Sequence, residues 1–134
     1  MLTALGVASS KSTAADIDLA KSTSTIDMRV RFCETDLMGI VHHGSYLVYF
    51  EVGRVEWLRR RGVTYADWAS RGVHLPVVEA HVSYKAPSRF DDLLLVDTTL
   101  VELRTVSLKF GYRIRRRDEG KDTLIAEGFT RLGC

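Results

Sequence analysis

Alternation of apolar and polar residues begins at Ile26 and predicts the first strand of the fold. Apolar side chains from Ile26 to Phe32 alternate with Asp27, Arg29 and Arg31, which is the period of a strand with one buried face. Polar residues then interrupt the pattern, so a loop is predicted after this strand.

Helical spacing of apolar residues follows over residues 46–61. Apolar residues occupy most of the circumference of this segment, which predicts a helix that is buried on most sides. Ser45 is predicted as its N-cap, and Gly62 stands where a helix C-terminus favours a residue with positive φ. A short second helix is predicted over residues 64–70.

The remaining pattern is typical of strands. Apolar and β-branched segments predict strands over residues 74–85, 93–103, 106–115 and 123–132, with a hairpin turn at 118–121. The predicted order is strand, helix, then four strands in antiparallel succession. One antiparallel sheet folded over one helix buries both apolar faces, so the predicted class is α+β.

Residues 1–25 differ in composition from everything after them. They hold five Ser, four Thr and five Ala and no aromatic residue, so a disordered leader is predicted there. A signal peptide needs a basic region and a continuous apolar stretch, and a transit peptide is rich in Arg. The leader has none of these features and carries Asp16 and Asp18. One folded domain is therefore predicted over residues 26–134.

Composition and charge exclude several classes of protein. The 134 residues carry a net charge of +2, which creates no long-range field favouring a nucleic acid. Arginine runs at 59–61 and 115–117 are interpreted as solvated, because no exposed aromatic residues are interleaved with them. The longest uncharged run, residues 37–50, is too short to span a membrane.

Cysteine and histidine usage predicts neither a disulfide framework nor a metal site. Only two Cys and four His occur, without the spacing of zinc ligands. A reducing, cytoplasmic location is the default expectation for such a chain.

The loop over residues 34–46 is where chemistry is predicted. It carries Asp36 and ends at the predicted helix, whose first peptide N–H groups have no intrahelical partner. Such groups can stabilise the oxyanion formed when a thioester or ester carbonyl is attacked. The Asp36 carboxylate can attack the carbonyl or deprotonate a water molecule. The alternative is that Asp36 only caps a turn through its side chain.

The same loop resembles a known family. Its motifs are Phe32-Cys33-Glu34-Thr35-Asp36, Met38-Gly39-Ile40-Val41-His42-His43 and Tyr49-Phe50-Glu51 with Arg54, and later Tyr84-Lys85-Ala86-Pro87. They resemble the hot-dog-fold acyl-CoA thioesterases of the 4-hydroxybenzoyl-CoA thioesterase type, including the thioesterase of the bacterial Tol–Pal cluster. The resemblance covers residues 27–132. It implies a five-stranded antiparallel sheet wrapped around a long central helix.

The resemblance also implies catalytic roles. Asp36 corresponds to the catalytic carboxylate, as nucleophile or general base, and His43 to the position whose backbone N–H faces the thioester carbonyl. Glu51 is a competing carboxylate, because other hot-dog branches use one from this helix, and it is expected to face the same pocket. Its alternative role is an ion pair with Arg54. No metal or cofactor is implied beyond the coenzyme A of the substrate.

The motifs also suggest which residues bind the substrate and how the chain assembles. The predicted substrate-binding residues are Gly39, Val41, Gly44, Tyr46, Lys85 and Arg89. Lys85 and Arg89 flank the turn at Pro87 and are candidates for the phosphates of coenzyme A. In the family the active site lies between two subunits, which implies a homodimer or homotetramer. The acyl group is expected on coenzyme A or on an acyl carrier protein.

Two other functions fit the same pattern. A polyketide-releasing thioesterase would act on a carrier-bound chain, but enzymes of the enediyne type lack an Asp at the position of Asp36. A non-catalytic acyl-CoA-binding regulator would need no carboxylate beside a thioester. Asp36 therefore favours acyl-CoA hydrolysis over both.

Overall fold

The computed structural model describes residues 22–133, which contain five strands, two α-helices and one short 3-10 turn. The elements are β1 (Thr23–Arg29), the turn (Phe32–Glu34), α1 (Ser45–Arg59), α2 (Tyr65–Ser70), β2 (Val77–Tyr84), β3 (Leu93–Leu103), β4 (Ser107–Asp118) and β5 (Lys121–Gly133). The predicted leader lies outside the described residues as far as residue 21, and so does Cys134.

β1 differs from its prediction at both ends. It begins at Thr23 rather than Ile26, because its inward position there is taken by Ser24, a small polar residue without an apolar signal. It ends at Arg29, and the chain then turns, so Phe32 is 77% exposed instead of facing the core. Phe32 packs edge-on against Phe90, with 6.0 Å between ring centroids.

All strand pairs are antiparallel, and the sheet order is β1-β3-β4-β5-β2. This confirms the predicted α+β class and the hot-dog arrangement of sheet and helix. The predicted succession was wrong for β2, which pairs with β5 rather than β3. The reason is that the helices carry the chain from the β1 edge across the sheet to the opposite edge.

α1 packs across one face of the sheet and contacts β1, β2, β3 and β4. Phe50 stacks on Tyr112 with ring centroids 4.2 Å apart, and Trp57 packs edge-on against Phe110 at 5.3 Å. All four side chains are at most 2% exposed. Burial of side chains of this size contributes about 2–3 kcal/mol each, so these ring pairs stabilise the packing of α1 on the sheet.

α1 approaches β3 closely at Gly53. A Cβ atom on Gly53 would lie 2.9 Å from Cγ1 of Val96 and would overlap the hydroxyl of Thr98. Only glycine therefore allows α1 to lie at this distance from the sheet.

The opposite face of α1 is not covered by residues 22–133. Leu47, Val48 and Val52 are 41%, 46% and 39% exposed. The prediction of a helix buried on most sides was therefore wrong for one chain, because a single sheet covers only one side of a helix. An apolar face of this kind is typical of a surface that another molecule covers.

Candidate active site

Asp36 lies on a tight loop between β1 and α1. Thr35 and Val41 form an antiparallel bridge, and the Asp36 N–H donates to the carbonyl of Ile40 at 3.0 Å. Gly39 turns the chain with φ of +77° and donates its N–H to the Asp36 carbonyl at 2.9 Å. The loop is thus a closed turn with Asp36 at its base.

The Asp36 carboxylate has one engaged oxygen and one available oxygen. Oδ1 accepts a hydrogen bond from the Met38 N–H at 2.8 Å, so the predicted turn-capping role is present. Oδ2 accepts no hydrogen bond from any residue between 22 and 133. The side chain is half-buried. Asp36 can therefore hold the turn with one oxygen and act on a substrate with the other.

The start of α1 differs from its prediction. Gly44, not Ser45, is the N-cap, and Ser45 is the first helical residue. The Ser45 hydroxyl donates to the carbonyl of Glu34 at 3.3 Å, so it does not cap the helix. The Gly44 N–H donates to Nδ1 of His42 at 3.1 Å.

His43 offers a free peptide donor at this helix start. Its N–H donates no hydrogen bond to any residue in the described range 22–133. Its carbonyl accepts a hydrogen bond from the Tyr84 hydroxyl at 2.9 Å, which holds the peptide in place. The imidazole is exposed and lies beside that of His42, with 4.1 Å between ring centroids. An unpaired N–H at a helix N-terminus carries partial positive charge and can stabilise an oxyanion.

Asp36 and His43 line one cleft of about 510 Å³. Its other lining residues are Met38, Ile40, Val41, Tyr46, Tyr84, Lys85, Ala86 and Pro87. The structure therefore brings together five predicted site residues, namely Asp36, Val41, His43, Tyr46 and Lys85. The walls are mostly apolar or aromatic, which suits an acyl group and a pantetheine arm.

Tyr46 contributes its ring to the cleft but has already committed its hydroxyl. The side chain is 3% exposed, and its hydroxyl is hydrogen-bonded to Oγ of Ser88 at 2.8 Å. Burial raises the pKa of Tyr46, so the phenol stays protonated. The Ser88 carbonyl accepts the Val41 N–H at 2.8 Å. Ser88 thereby joins the Asp36 loop to α1.

Cationic side chains surround the loop that follows β2. Lys85 is exposed, with its Nζ atom 4.0 Å from a carboxylate oxygen of Glu127. Arg89 lies beside Gly39, and its Nη1 is 3.6 Å from the position of a Cβ on that glycine. Arg116 donates to the Pro87 carbonyl at 2.7 Å. Gly39, Gly44 and Arg89 do not line the cleft itself.

Glu51 lies away from this cleft. It is exposed and lines one groove with β1 and another between α1 and β2. The expectation that it faces the pocket of Asp36 was therefore wrong within one chain. Five helical residues rotate a side chain by about 140°, so Glu51 and Tyr46 point to different sides. Arg54 does not pair with it, since its guanidinium donates to the hydroxyls of Tyr65 and Tyr112 at 2.6 and 3.1 Å.

Between residues 22 and 133, no group of three or more His, Cys, Asp or Glu side chains is placed to hold a metal ion. None of the helices in this range is long and apolar enough to cross a lipid bilayer.

Comparison with known proteins assigns the family. The family model described as the thioesterase superfamily matches residues 38–123. This chain belongs to the thioesterase superfamily. The predicted family is confirmed, and with it the predicted class of enzyme, a thioester hydrolase.

Individual relatives of this thioesterase agree with the assignment. A putative acyl-CoA thioesterase, YneP of Bacillus subtilis, is 39% identical over 66% of this chain and 64% of its own length. The acyl-CoA thioester hydrolase YbgC of Escherichia coli O157:H7 is 33% identical over 80% of this chain and 78% of its own. Among solved structures, the hypothetical protein TT1821 of Thermus thermophilus is 46% identical with a TM-score of 0.79, covering 84% of this chain and 83% of that one.

Several residues that shape the thioesterase site were not predicted to do so. Ser88 and Tyr84 position the cleft through hydrogen bonds to residues more than forty positions earlier in the chain. Glu34, two residues before Asp36, is buried and bonded to Tyr49. Glu34 and Tyr84 had an available signal, because both stand in motifs that carry the family resemblance.

Proposed function

We propose that this thioesterase hydrolyses acyl-CoA thioesters with the Asp36 carboxylate and the peptide N–H of His43. The observation that carries this proposal is that one cleft holds both groups, with Oδ2 and the N–H free of other partners among residues 22–133. A carboxylate and an oxyanion donor are the two parts that acyl transfer to water requires.

As a general base, Asp36 removes a proton from water while the water oxygen bonds to the thioester carbon. The carbonyl electron pair moves onto oxygen, where the His43 N–H donates to the oxyanion. The oxyanion then collapses and breaks the carbon–sulfur bond. The leaving thiolate takes the proton from Asp36, which yields a carboxylic acid and coenzyme A.

As a nucleophile, Oδ2 of Asp36 bonds directly to the thioester carbon. Loss of the thiolate leaves a mixed anhydride on Asp36, and water hydrolyses this anhydride in a second step. A single turnover in ¹⁸O-labelled water tests the nucleophilic route through label found in the Asp36 carboxylate. Label enters the product in the first turnover by the general-base route, but can enter Asp36 only by the nucleophilic route.

The substrate is held by the remaining predicted residues. The acyl group and pantetheine arm lie along the apolar wall that includes Val41 and Tyr46, and the Gly39 turn and the Gly44 cap shape its rim. Lys85 and Arg89 bind the phosphates of coenzyme A, because both are exposed cations on the loop beside the cleft. No metal or cofactor takes part in this mechanism.

A homodimer or homotetramer is the proposed active form. Its support is the uncovered apolar face of α1 together with Leu37 and Met38 on the catalytic loop, which are 108% and 76% exposed. Glu51 lines one groove with Leu47 and Val48, so an assembly through this face would bring Glu51 to the interface. Light scattering after size-exclusion chromatography tests the assembly. A monomer with full activity would contradict it.

Thioester loss measured by ultraviolet absorbance tests the proposed function. Purified protein is assayed against aliphatic, aromatic and carrier-linked acyl thioesters, beside Asp36→Asn and the matched control Asp27→Asn on exposed β1. Asp36→Asn is expected to lower kcat by about 10²–10⁴-fold, with no change in Asp27→Asn. Activity that survives in Asp36→Asn would transfer the chemistry to Glu51, whereas acyl-CoA binding without hydrolysis would indicate a regulator.

The same panel decides between donors. Hydrolysis of carrier-linked thioesters alone would favour the predicted alternative, a thioesterase that acts on an acyl carrier protein or a polyketide chain. A cytoplasmic location and the absence of a nucleic-acid partner stay predictions.

A further inference from the structure

Glu34 is the only buried acidic residue in the range 22–133. It is 6% exposed, and it lies two positions before Asp36. A buried carboxylate costs free energy unless donors surround it. Its position beside the catalytic loop therefore needs a physical explanation.

Both carboxylate oxygens of Glu34 are fully engaged. Oε1 accepts the Arg31 N–H at 2.7 Å and the Tyr49 hydroxyl at 3.1 Å, and Oε2 accepts Nη2 and Nε of Arg31 at 3.1 and 3.3 Å. Tyr49 is 0% exposed and lies in α1. Burial and the neighbouring carboxylate raise the pKa of Tyr49, so its hydroxyl keeps the proton that it donates.

The main chain of Glu34 makes a second set of links. Its carbonyl accepts the His42 N–H at 2.8 Å and the Ser45 hydroxyl at 3.3 Å. One residue thus joins the start of the catalytic loop to its end and to the first turn of α1. Asp36 and the His43 N–H lie between these attachment points.

We infer that Glu34 is a positioning residue for thioester hydrolysis, which holds Asp36 in register with the peptide donor of His43. This inference rests on the proposed function. Glu34 has no oxygen left for a substrate, so it acts through the loop. Displacement of a reacting group by about 1 Å can cost about 100-fold in rate.

The ion pair with Arg31 does not explain why Glu34 is buried. The Arg31 side chain is 70% exposed, and water already solvates its charge. Because the Arg31 partner of this pair is open to water, its charge does not by itself require Glu34 to be buried. The link that requires burial is the one to Tyr49, inside the core.

Glu34→Gln tests the inference while keeping the size of the side chain. Its amide nitrogen would face the donors of Arg31, so the loop loses part of its attachment. We expect kcat to fall by about 100-fold and KM to change by less than about threefold. Faster hydrogen exchange at the His42 amide should accompany the loss. A loss that merely followed the unfolded fraction would overturn the inference.

A double-mutant cycle sharpens this test. Tyr49→Phe removes the hydroxyl that donates to Oε1, and we expect it to lower kcat by about tenfold. The double variant should lose less than the product of the two single losses, because both substitutions loosen the same side chain of Glu34. Additive losses would overturn the inference. If Glu34→Gln does not fold, Tyr49→Phe alone decides, and an unchanged kcat overturns it.

Glu102→Gln is the matched control. Glu102 pairs with Arg131 at 3.0 Å and Arg104 at 3.3 Å, on β3 and away from the cleft, so its kcat should equal that of the unmodified chain. A Glu34→Gln variant as active as this control would contradict only the positioning role. An unmodified chain that hydrolyses no thioester would contradict the proposed function itself.

Discussion

The two ends of α1 are built in opposite ways. At its start, Oδ2 of Asp36 and the His43 N–H have no partner among the residues described. At its end, the guanidinium of Arg61 lies over the Trp57 ring at 3.7 Å and donates to Ser24 at 2.8 Å. Chemistry is possible where hydrogen-bonding groups are left unpaired. Pairing them, as at the other end, fixes a neighbouring strand instead.

Contacts at the C-terminal end of α1 explain why β1 starts earlier than predicted. Nε1 of Trp57 donates to the Ser22 carbonyl at 3.0 Å, and Arg60 donates to the Thr25 carbonyl at 3.1 Å. The arginine run at 59–61 was interpreted as solvated, but two of its members hold residues 22–25 against the helix. Their role is structural.

Trp57→Ala should have the largest effect on stability. Removal of a fully buried indole lowers the free energy of unfolding by about 3–5 kcal/mol, because a cavity remains in the core. Denaturant titration measures this loss. The kcat of the folded fraction should stay unchanged, which is the reverse of the Asp36→Asn result. A selective loss of kcat would break the contrast between the two ends.

Gly53→Ala should lower both stability and activity. The added methyl group meets Thr98 and Val96, so α1 must move away from β3. We expect a loss of about 1–3 kcal/mol in unfolding free energy, together with a lower kcat. Loss of stability with kcat fully retained would show that the site does not depend on how α1 is seated.

Arg61→Met should lower the free energy of unfolding by about 1 kcal/mol and leave kcat unchanged. It removes the contact over Trp57 and the hydrogen bond to Ser24. Arg59→Met is the control. Among the residues described, Arg59 pairs only with Glu56, on the surface, and this pair should contribute close to nothing. Equal effects from the two variants in thermal unfolding would contradict a specific role for Arg61.

Tyr84→Phe should have the smallest effect of these substitutions and should change only kcat. It removes the hydroxyl that donates to the His43 carbonyl, which water can replace at this exposed position. We expect kcat to fall about twofold, which corresponds to a rise of about 0.5 kcal/mol in the activation free energy, and thermal stability to stay unchanged. A change in unfolding temperature without a change in kcat would show that Tyr84 stabilises the fold rather than the site.

Local patterns in the sequence were sufficient to predict most of the helices and strands. The apolar and β-branched segment over residues 93–103 matches β3 residue for residue, and Gly62 has the positive φ expected after a helix. Asp36 was identified by its loop and motif. The same patterns failed at Phe32, where a turn that depends on Glu34 ends the alternation.

Contacts between distant residues decided the rest. The pairing of β2 with β5 and the exposed face of α1 depend on how the whole sheet covers the helix, which no local period contains. Glu51 has the right chemistry for catalysis, but rotation around α1 directs it away from Asp36 in the same chain.

The sequence by itself determined the class of fold and the family, and it singled out Asp36 as the candidate carboxylate, because these depend on periodicity and on a short motif. Only the tertiary structure decided which groups stay free to react. Glu34, Tyr49, Tyr84 and Ser88 are committed to holding the loop, whereas Asp36 and His43 keep one unpaired group each. That distinction depends on partners that only folding brings within hydrogen-bonding distance.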